Sequence, residues 1–225
     1  MPLLGGLALV VGLALAGRAR LGLSDPYLLR AGALFTIIAL MALGFLEEHH
    51  PFERFGAANV VTTVRAALVA LTVGLVGEPV VPLVALSALV LSLIATMMDG
   101  LDGWMARRTH MASAFGARFD MEIDALLILG LALLAWRHGK AGVWVLASGV
   151  LRYAFVAAGW WLPWLERPLV PSVRRQGICV LQVAALTVVM APTLAPPISA
   201  LIAAVALATL SGSFLVDTVW LWRRA

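Results

Sequence analysis

The chain is a series of apolar runs separated by short polar segments, and most runs have the length of a membrane-spanning helix. Clear runs occupy 28–46, 60–76, 81–98, 123–136, 143–162, 178–190 and 198–221. A shorter, Gly-rich run over 3–16 precedes them, so the pattern predicts seven or eight spans. No run alternates with period two over the length of a barrel strand. We therefore expect an all-α fold, a polytopic transmembrane helix bundle.

Composition and charge agree with a membrane protein. Hydrophobic residues make up 62% of the chain and charged residues 12%, against about 25% charged residues in a soluble domain. The net charge of +4 comes from short basic clusters between the apolar runs, which orient a membrane protein, so we expect no nucleic-acid partner. Threading eight spans places the larger group of arginines on one side, which is then cytoplasmic: Arg54, Arg107, Arg108, Arg167, Arg174, Arg175, Arg223 and Arg224.

Carboxylates concentrate in one segment. Asp99 and Asp102 stand three residues apart where the fourth span ends, and Asp120 and Asp124 stand four apart where the next begins. Each pair shares a helical face, so two antiparallel helices can direct four carboxylates to one point. One or two divalent cations would relieve their repulsion, and oxygen-only ligands favour Mg²⁺ or Mn²⁺. The alternative is structural, with the carboxylates in salt bridges to Arg107, Arg108 and Arg118.

Small residues extend this segment into a longer pattern. It reads Asp99-x2-Asp102-Gly103-x2-Ala106-Arg107-x8-Gly116-x3-Asp120-x3-Asp124. The pattern resembles the signature of the CDP-alcohol phosphatidyltransferase family of integral-membrane enzymes, with all eight fixed positions present. The resemblance implies a six-helix core, which we expect over 51–225. Residues 1–50 would then form an additional N-terminal transmembrane hairpin of one or two helices.

The resemblance also implies a reaction. A phosphatidyl-type group would pass from a CDP-linked lipid, such as CDP-diacylglycerol, to a small alcohol acceptor, and CMP would be released. The implied cofactor is Mg²⁺ or Mn²⁺, as two ions held by Asp99, Asp102, Asp120 and Asp124. Asp124 is also the implied catalytic base, a role that the sequence does not separate from metal binding.

Membrane lipids and a second copy in a homodimer are the other expected partners. We expect the site on the cytoplasmic side of a plasma or inner membrane.

Donor binding is implied for two groups of residues. Gly103, Ala106, Arg107 and Gly116 would line the pocket for the cytidine diphosphate. Asn59-x2-Thr62-x2-Arg65, at the start of the third span, resembles the polar beginning of the family's first core helix, which faces the nucleotide. The alternative is that Asn59 caps the helix and Arg65 extends to the membrane interface.

Acceptor binding is expected of Arg152, Arg174 and Arg175, because family members that use a phosphorylated acceptor carry basic residues at comparable places. The alternatives are a nearby carboxylate partner for Arg152 and a topology signal for the arginine pair. Among other polar residues, we expect Glu122 to make a helix–helix contact and Asp217 to face the cytoplasmic interface. Cys179 is interpreted as a small apolar residue of a helix.

Two other functions compete with the transferase. A divalent-cation transporter could use the aspartates as its transport site, but this does not explain Gly103, Ala106 and Arg107 at fixed offsets. A catalytically inactive relative with a structural role is opposed by the intact set of aspartates.

Overall fold

The chain folds into a bundle of α-helices, as the apolar pattern predicts. The structure is a computed structural model that describes residues 2–49, 57–108, 114–167, 169–170 and 172–224, without the side chains of 45–49, 57–58, 101–108 and 114–115. Within these residues there are eight α-helices and no strand. They are α1 (Pro2–Leu21), α2 (Asp25–His49), α3 (Ala57–Gly74), α4 (Pro82–Arg108), α5 (Ala114–Arg137), α6 (Ala147–Gly159), α7 (Val173–Val189) and α8 (Ile198–Trp222). Short 3₁₀ turns lie at Leu75–Gly77, Val143–Leu146 and Pro163–Glu166.

Five of the described helices are long and apolar enough to cross a membrane. They are α1, α2, α3, α4 and α8. Large apolar side chains point outward from them, for example Leu40 on α2 and Leu201 on α8. Lipid tails are the environment in which such exposed leucines are stable. The protein is therefore a multi-pass membrane protein.

Helix α3 is the centre of the bundle. It packs against α1, α2, α4 and α5, and residues 66–71 are almost completely buried. Three of these six residues are alanine, whose small side chains let neighbouring membrane helices approach closely. Arg65 stands directly before this segment and is carried into the bundle with it.

The second half of the chain closes around α5. Helix α7 packs against α4, α5 and α8, while α6 lies against α5 and α8. A Cβ atom at Gly149 of α6 would lie only 2.6 Å from the Cα atom of Leu129. Glycine is therefore required where these two backbones meet. Because α4 ends and α5 begins at the same end of the bundle, the aspartate motif is gathered there.

The N-terminal helices are tied to the core at the opposite end of α3. The buried Glu78, between α3 and α4, accepts hydrogen bonds from the amide and hydroxyl of Ser24 at 2.9 and 2.5 Å. Arg30 of α2 pairs with the same carboxylate. We call Ser24, Arg30 and Glu78 the hairpin clasp. Together with the packing of α1 and α2 on α3, it makes the hairpin part of one bundle with the core.

The only lysine of the chain holds the turn between α5 and α6 against the end of α7. The Lys140 ammonium donates to the carbonyl oxygens of Ala191, at 2.9 Å, and Leu194. The hydroxyl of Ser199 donates to the Lys140 carbonyl at 2.7 Å. Backbone carbonyls beyond the end of α7, which have no helical partner, are satisfied in this way.

Candidate active site

Three carboxylates converge where α4 and α5 meet. Asp99 lies on α4, and Asp120 and Asp124 lie one turn apart on α5. Each offers an oxygen atom, and these three atoms lie within 4.8 Å of one another. We call Asp99, Asp120 and Asp124 the aspartate cluster. The helical spacing in the sequence therefore brings together three of the four expected metal ligands.

Several motif residues fall where the structure describes the backbone alone. Asp102, Gly103, Ala106 and Arg107 continue α4 beyond Asp99, but their side chains lie outside the described residues. Gly116 lies in the first turn of α5, close to Asp120 in the chain. The proposed pocket for the cytidine diphosphate is therefore at the end of α4 and the start of α5, next to the aspartate cluster.

Arg65 is the cationic partner of the aspartate cluster. One terminal nitrogen, Nη2, lies 2.8 Å from Asp99 Oδ1 and 2.5 Å from Asp124 Oδ1, and Nη1 pairs with Asp120 Oδ1. The side chain is 1% exposed. The alternative in which Arg65 extends to the membrane interface is therefore wrong. Salt bridges do form, but from an arginine on α3. Arg118 is exposed, and the side chains of Arg107 and Arg108 lie outside the described residues.

Asn59 and Thr62 precede Arg65 along the same helix. Both are buried. Because α3 begins at Ala57, Asn59 lies inside the first turn rather than at the cap, and its carbonyl accepts the hydroxyl of Thr63 at 2.8 Å. The capping alternative for Asn59 is therefore wrong. These polar residues continue inward to the aspartate cluster.

Helix α7 forms the wall of the site beside Asp124. The Cys179 thiol donates to Asp124 Oδ2, with sulfur and oxygen 3.8 Å apart. The two carboxylate oxygens of Asp124 thus have different partners, Arg65 and Cys179. Interpreting Cys179 as a plain apolar residue was wrong. A lone cysteine gives no sequence signal for this contact, which depends on how α7 packs against α5.

The floor of the site is largely apolar. A small cavity of about 10 Å³ lies beside Arg65, Asp99 and Asp124, and has room for about one water molecule. Its remaining lining comprises Thr96, Leu127, Val180 and Val183. The carboxylates of Asp99 and Asp124 therefore border a cavity with little room for water on this side.

The aspartate cluster fits a hard divalent cation. Oxygen atoms bound to one Mg²⁺, at 2.0–2.1 Å each, can be at most about 4.2 Å apart. The observed limit of 4.8 Å needs only a small closure of the side chains. The three carboxylates exceed the charge of Arg65 by two, which is the charge of one such ion. The donor set and its charge therefore favour Mg²⁺ or Mn²⁺ over softer metals.

The two arginines at the start of α7 share a carboxylate of α8. Asp217 Oδ1 lies 2.5 Å from Arg174 Nη2 and 3.5 Å from Arg175 Nη1. Arg174 also donates to the hydroxyl and carbonyl of Ser213, at 2.5 and 3.0 Å. Asp217 is buried, so the expectation that it faces the interface is wrong. Arg175 lies four residues before Cys179, or about 6 Å along the helix axis.

Arg152 of α6 has a carboxylate partner on α5. It pairs with Glu122, and its Nη1 lies 2.9 Å from the sulfur of Met121. The expected helix–helix contact of Glu122 is thereby confirmed. The alternative of a carboxylate partner for Arg152 is also what the structure shows, while its contact with the acceptor stays a prediction.

Comparison with known families agrees with this arrangement. A helical membrane bundle whose facing helices present aspartates and a buried arginine is suited to a charged, phosphate-containing substrate. Residues 55–215 match the CDP-alcohol phosphatidyltransferase family. The match covers most of the chain, from the start of α3 into α8, and the protein belongs to this family. Comparison with curated proteins and with solved structures gave no significant match. Family membership makes the protein a transferase that moves a substituted phosphate from a CDP-alcohol to an acceptor.

Proposed function

We propose that the protein transfers a phosphatidyl-type group from a CDP-linked lipid, such as CDP-diacylglycerol, to a small alcohol acceptor and releases CMP. The observation that carries this proposal is the convergence of Asp99, Asp120 and Asp124 within the segment that matches the family. A lipid donor suits a site built between membrane helices, because the acyl chains can stay among the apolar outer faces while the diphosphate reaches the carboxylates.

The proposed cofactor is Mg²⁺ or Mn²⁺, as two ions held by Asp99, Asp102, Asp120 and Asp124. When bound, the ions would neutralise the diphosphate and stabilise the leaving CMP. The oxygen-only donors and the excess of negative charge in the aspartate cluster support this assignment.

Asp124 is the proposed base. The acceptor hydroxyl oxygen attacks the phosphorus of the phosphatidyl group, the bond from phosphorus to the CMP oxygen breaks, and the hydroxyl proton passes to the Asp124 carboxylate. The Asp124 side chain is 17% exposed, so it is open to a substrate on one side. The apolar floor formed by Leu127, Val180 and Val183 limits water, which would otherwise compete as the acceptor.

The donor pocket is proposed to comprise Asn59, Thr62, Arg65, Gly103, Ala106, Arg107 and Gly116. The burial of Asn59 and Thr62 beside Arg65 supports it, since polar groups inside a membrane bundle line cavities and pathways. The small residues of α4 and α5 would let the nucleotide approach the backbone.

A phosphorylated acceptor is proposed to bind at Arg152, Arg174 and Arg175. Support comes from the start of α7, where two arginines share one aspartate and therefore retain positive charge. Arg175 stands one helical turn from Cys179, the residue that contacts Asp124. If the acceptor phosphate binds these arginines, the hydroxyl group of the same acceptor would be directed towards the aspartate cluster.

We further propose that the family core comprises residues 51–225, that the hairpin of residues 1–50 is an addition to it, and that the protein forms a homodimer. The more basic end of the bundle, which carries the site, is proposed to face the cytoplasm from the plasma or inner membrane.

The direct test is an assay of CMP release. Purified protein is incubated with CDP-diacylglycerol, Mg²⁺ and a panel of free and phosphorylated alcohols. We expect CMP release that depends on one acceptor, stops in EDTA and returns with Mg²⁺ or Mn²⁺. Full activity after exhaustive chelation would refute the metal assignment. Mn²⁺ flux into liposomes without CMP release from any acceptor would instead support the transporter.

A further inference from the structure

Arg65 contacts the same three carboxylates that would hold a metal ion. Its two terminal nitrogens reach the Oδ1 atoms of Asp99, Asp120 and Asp124. An ion bound through these Oδ1 atoms would take the positions that the two terminal nitrogens now occupy beside them. A divalent cation and a guanidinium a few ångströms apart repel each other.

We propose that Arg65 is the internal counter-ion of the aspartate cluster, and that a divalent cation displaces its guanidinium from at least one of the three carboxylates. The identity of the metal ligands rests on the proposed function. The role of Arg65 rests on its own contacts, which make it a positioning residue for the carboxylates.

The physical need for such a counter-ion follows from the site's position. Ionised carboxylates among membrane helices are costly when unpaired, and three of them repel each other. The planar fork of an arginine can hold three carboxylates at once, whereas a lysine offers a single point charge. Arg65 is anchored for this task because α3 buries it completely beside the rigid segment 66–71. It therefore holds the carboxylates together before metal arrives and weakens the binding of the metal that replaces it.

This role predicts an unusual response to substitution. In Arg65→Gln the competitor is removed, so Mn²⁺ should bind more tightly, by about tenfold to a hundredfold, which corresponds to the loss of one charge-assisted hydrogen bond. The same variant should unfold at a lower temperature in EDTA, and added Mn²⁺ should raise its unfolding temperature by more than it raises that of the wild type. Arg65→Lys should lie between the two proteins in both measurements.

The experiment uses the full chain in detergent. Mn²⁺ affinity is measured by electron paramagnetic resonance, and thermal unfolding is followed with and without Mn²⁺. Arg30→Gln is the matched control, because it removes an arginine–carboxylate pair at the hairpin clasp, away from the aspartate cluster. It should lower the unfolding temperature but leave Mn²⁺ affinity within about twofold of the wild type, since a distant pair is not coupled to the site.

The possible outcomes separate this proposal from the proposed function. Unchanged or weaker Mn²⁺ binding in both Arg65 variants, with wild-type protein that binds Mn²⁺ and releases CMP, overturns the counter-ion role and leaves the transferase intact. Tighter binding with no CMP release from the wild type supports the counter-ion role and overturns the transferase. Wild-type protein that binds no Mn²⁺ overturns the counter-ion role, whatever the CMP assay shows.

Discussion

The arginine pair at the start of α7 offers the sharpest test of acceptor recognition. The perturbation is the double variant Arg174→Gln with Arg175→Gln. If the pair binds an acceptor phosphate, the variant should raise the KM for the acceptor and leave the KM for the CDP-lipid nearly unchanged. The KM for the donor should not change because the double variant alters no residue of the aspartate cluster, where the donor is proposed to bind.

The magnitude follows from the contacts. A hydrogen bond to a charged group contributes about 1.5–3 kcal/mol. The side chains of Arg174 and Arg175 are 35% and 28% exposed, so solvent screening reduces the value for each contact to about 1 kcal/mol. Two such contacts predict an increase of about tenfold to thirtyfold in the acceptor KM.

The double variant also leaves Asp217 without two of its partners, which has a structural effect of its own. An unpaired buried carboxylate costs about 3–5 kcal/mol of folding free energy. Asp217→Asn is therefore the matched control, because it breaks the same pairs but keeps both arginines. The assay measures CMP release against acceptor and donor concentration for both variants, with thermal unfolding in parallel.

Two results would refute acceptor binding by the arginine pair. If Asp217→Asn raises the acceptor KM as much as the double variant does, the contribution comes from the packing of α7 on α8 and not from contact with the acceptor. Equal changes in the KM for donor and acceptor would also exclude a specific acceptor site. The expected result for Asp217→Asn is an acceptor KM at or below the wild-type value, because both arginines lose a competing anion.

Two further predictions concern single residues. Asp124→Asn should lower kcat by about 10²–10⁴-fold, as loss of a general base does, and should retain donor binding better than Asp120→Asn does; equal loss of donor binding in both variants would contradict the base assignment. Lys140→Met should leave the Leu194 carbonyl without a donor, while the Ala191 carbonyl keeps the Leu194 amide, and should reduce the free energy of unfolding by about 1–3 kcal/mol, measured by denaturant or thermal unfolding. An unfolding midpoint equal to that of the wild type would show that water replaces the ammonium.

The parts of the site that follow from local spacing were predictable. Asp120 and Asp124 share a face because they are one helical turn apart, and the position of Asp99 at the end of the apolar run in α4 follows from the hydrophobic pattern. The all-α bundle follows in the same way from the length of the apolar runs. Residue spacing on a helix and the length of an apolar run are properties of a single helix, so both can be read from the sequence without knowing how the helices pack.

The ion pairs between helices were not predictable in the same way. Arg65 and Asp124 are 59 residues apart in the chain, and Arg174 and Asp217 are 43 apart. Each pairing depends on which helices become neighbours and on their rotation about their own axes, which the hydrophobic pattern of a membrane helix leaves open. The sequence therefore leaves Arg65 between contact with the nucleotide and the membrane interface, and it places Asp217 at the interface.

The hairpin clasp has a consequence for the order of membrane insertion. Arg30 and Ser24 are synthesised 48 and 54 residues before Glu78, so the chain that precedes the clasp is made before its partner exists. Arg30 must remain solvated at the membrane surface until α3 has inserted and carried Glu78 to the same side. Closure of the clasp can then take place only once α1, α2 and α3 are in the bilayer, and it requires no helix of the second half of the chain.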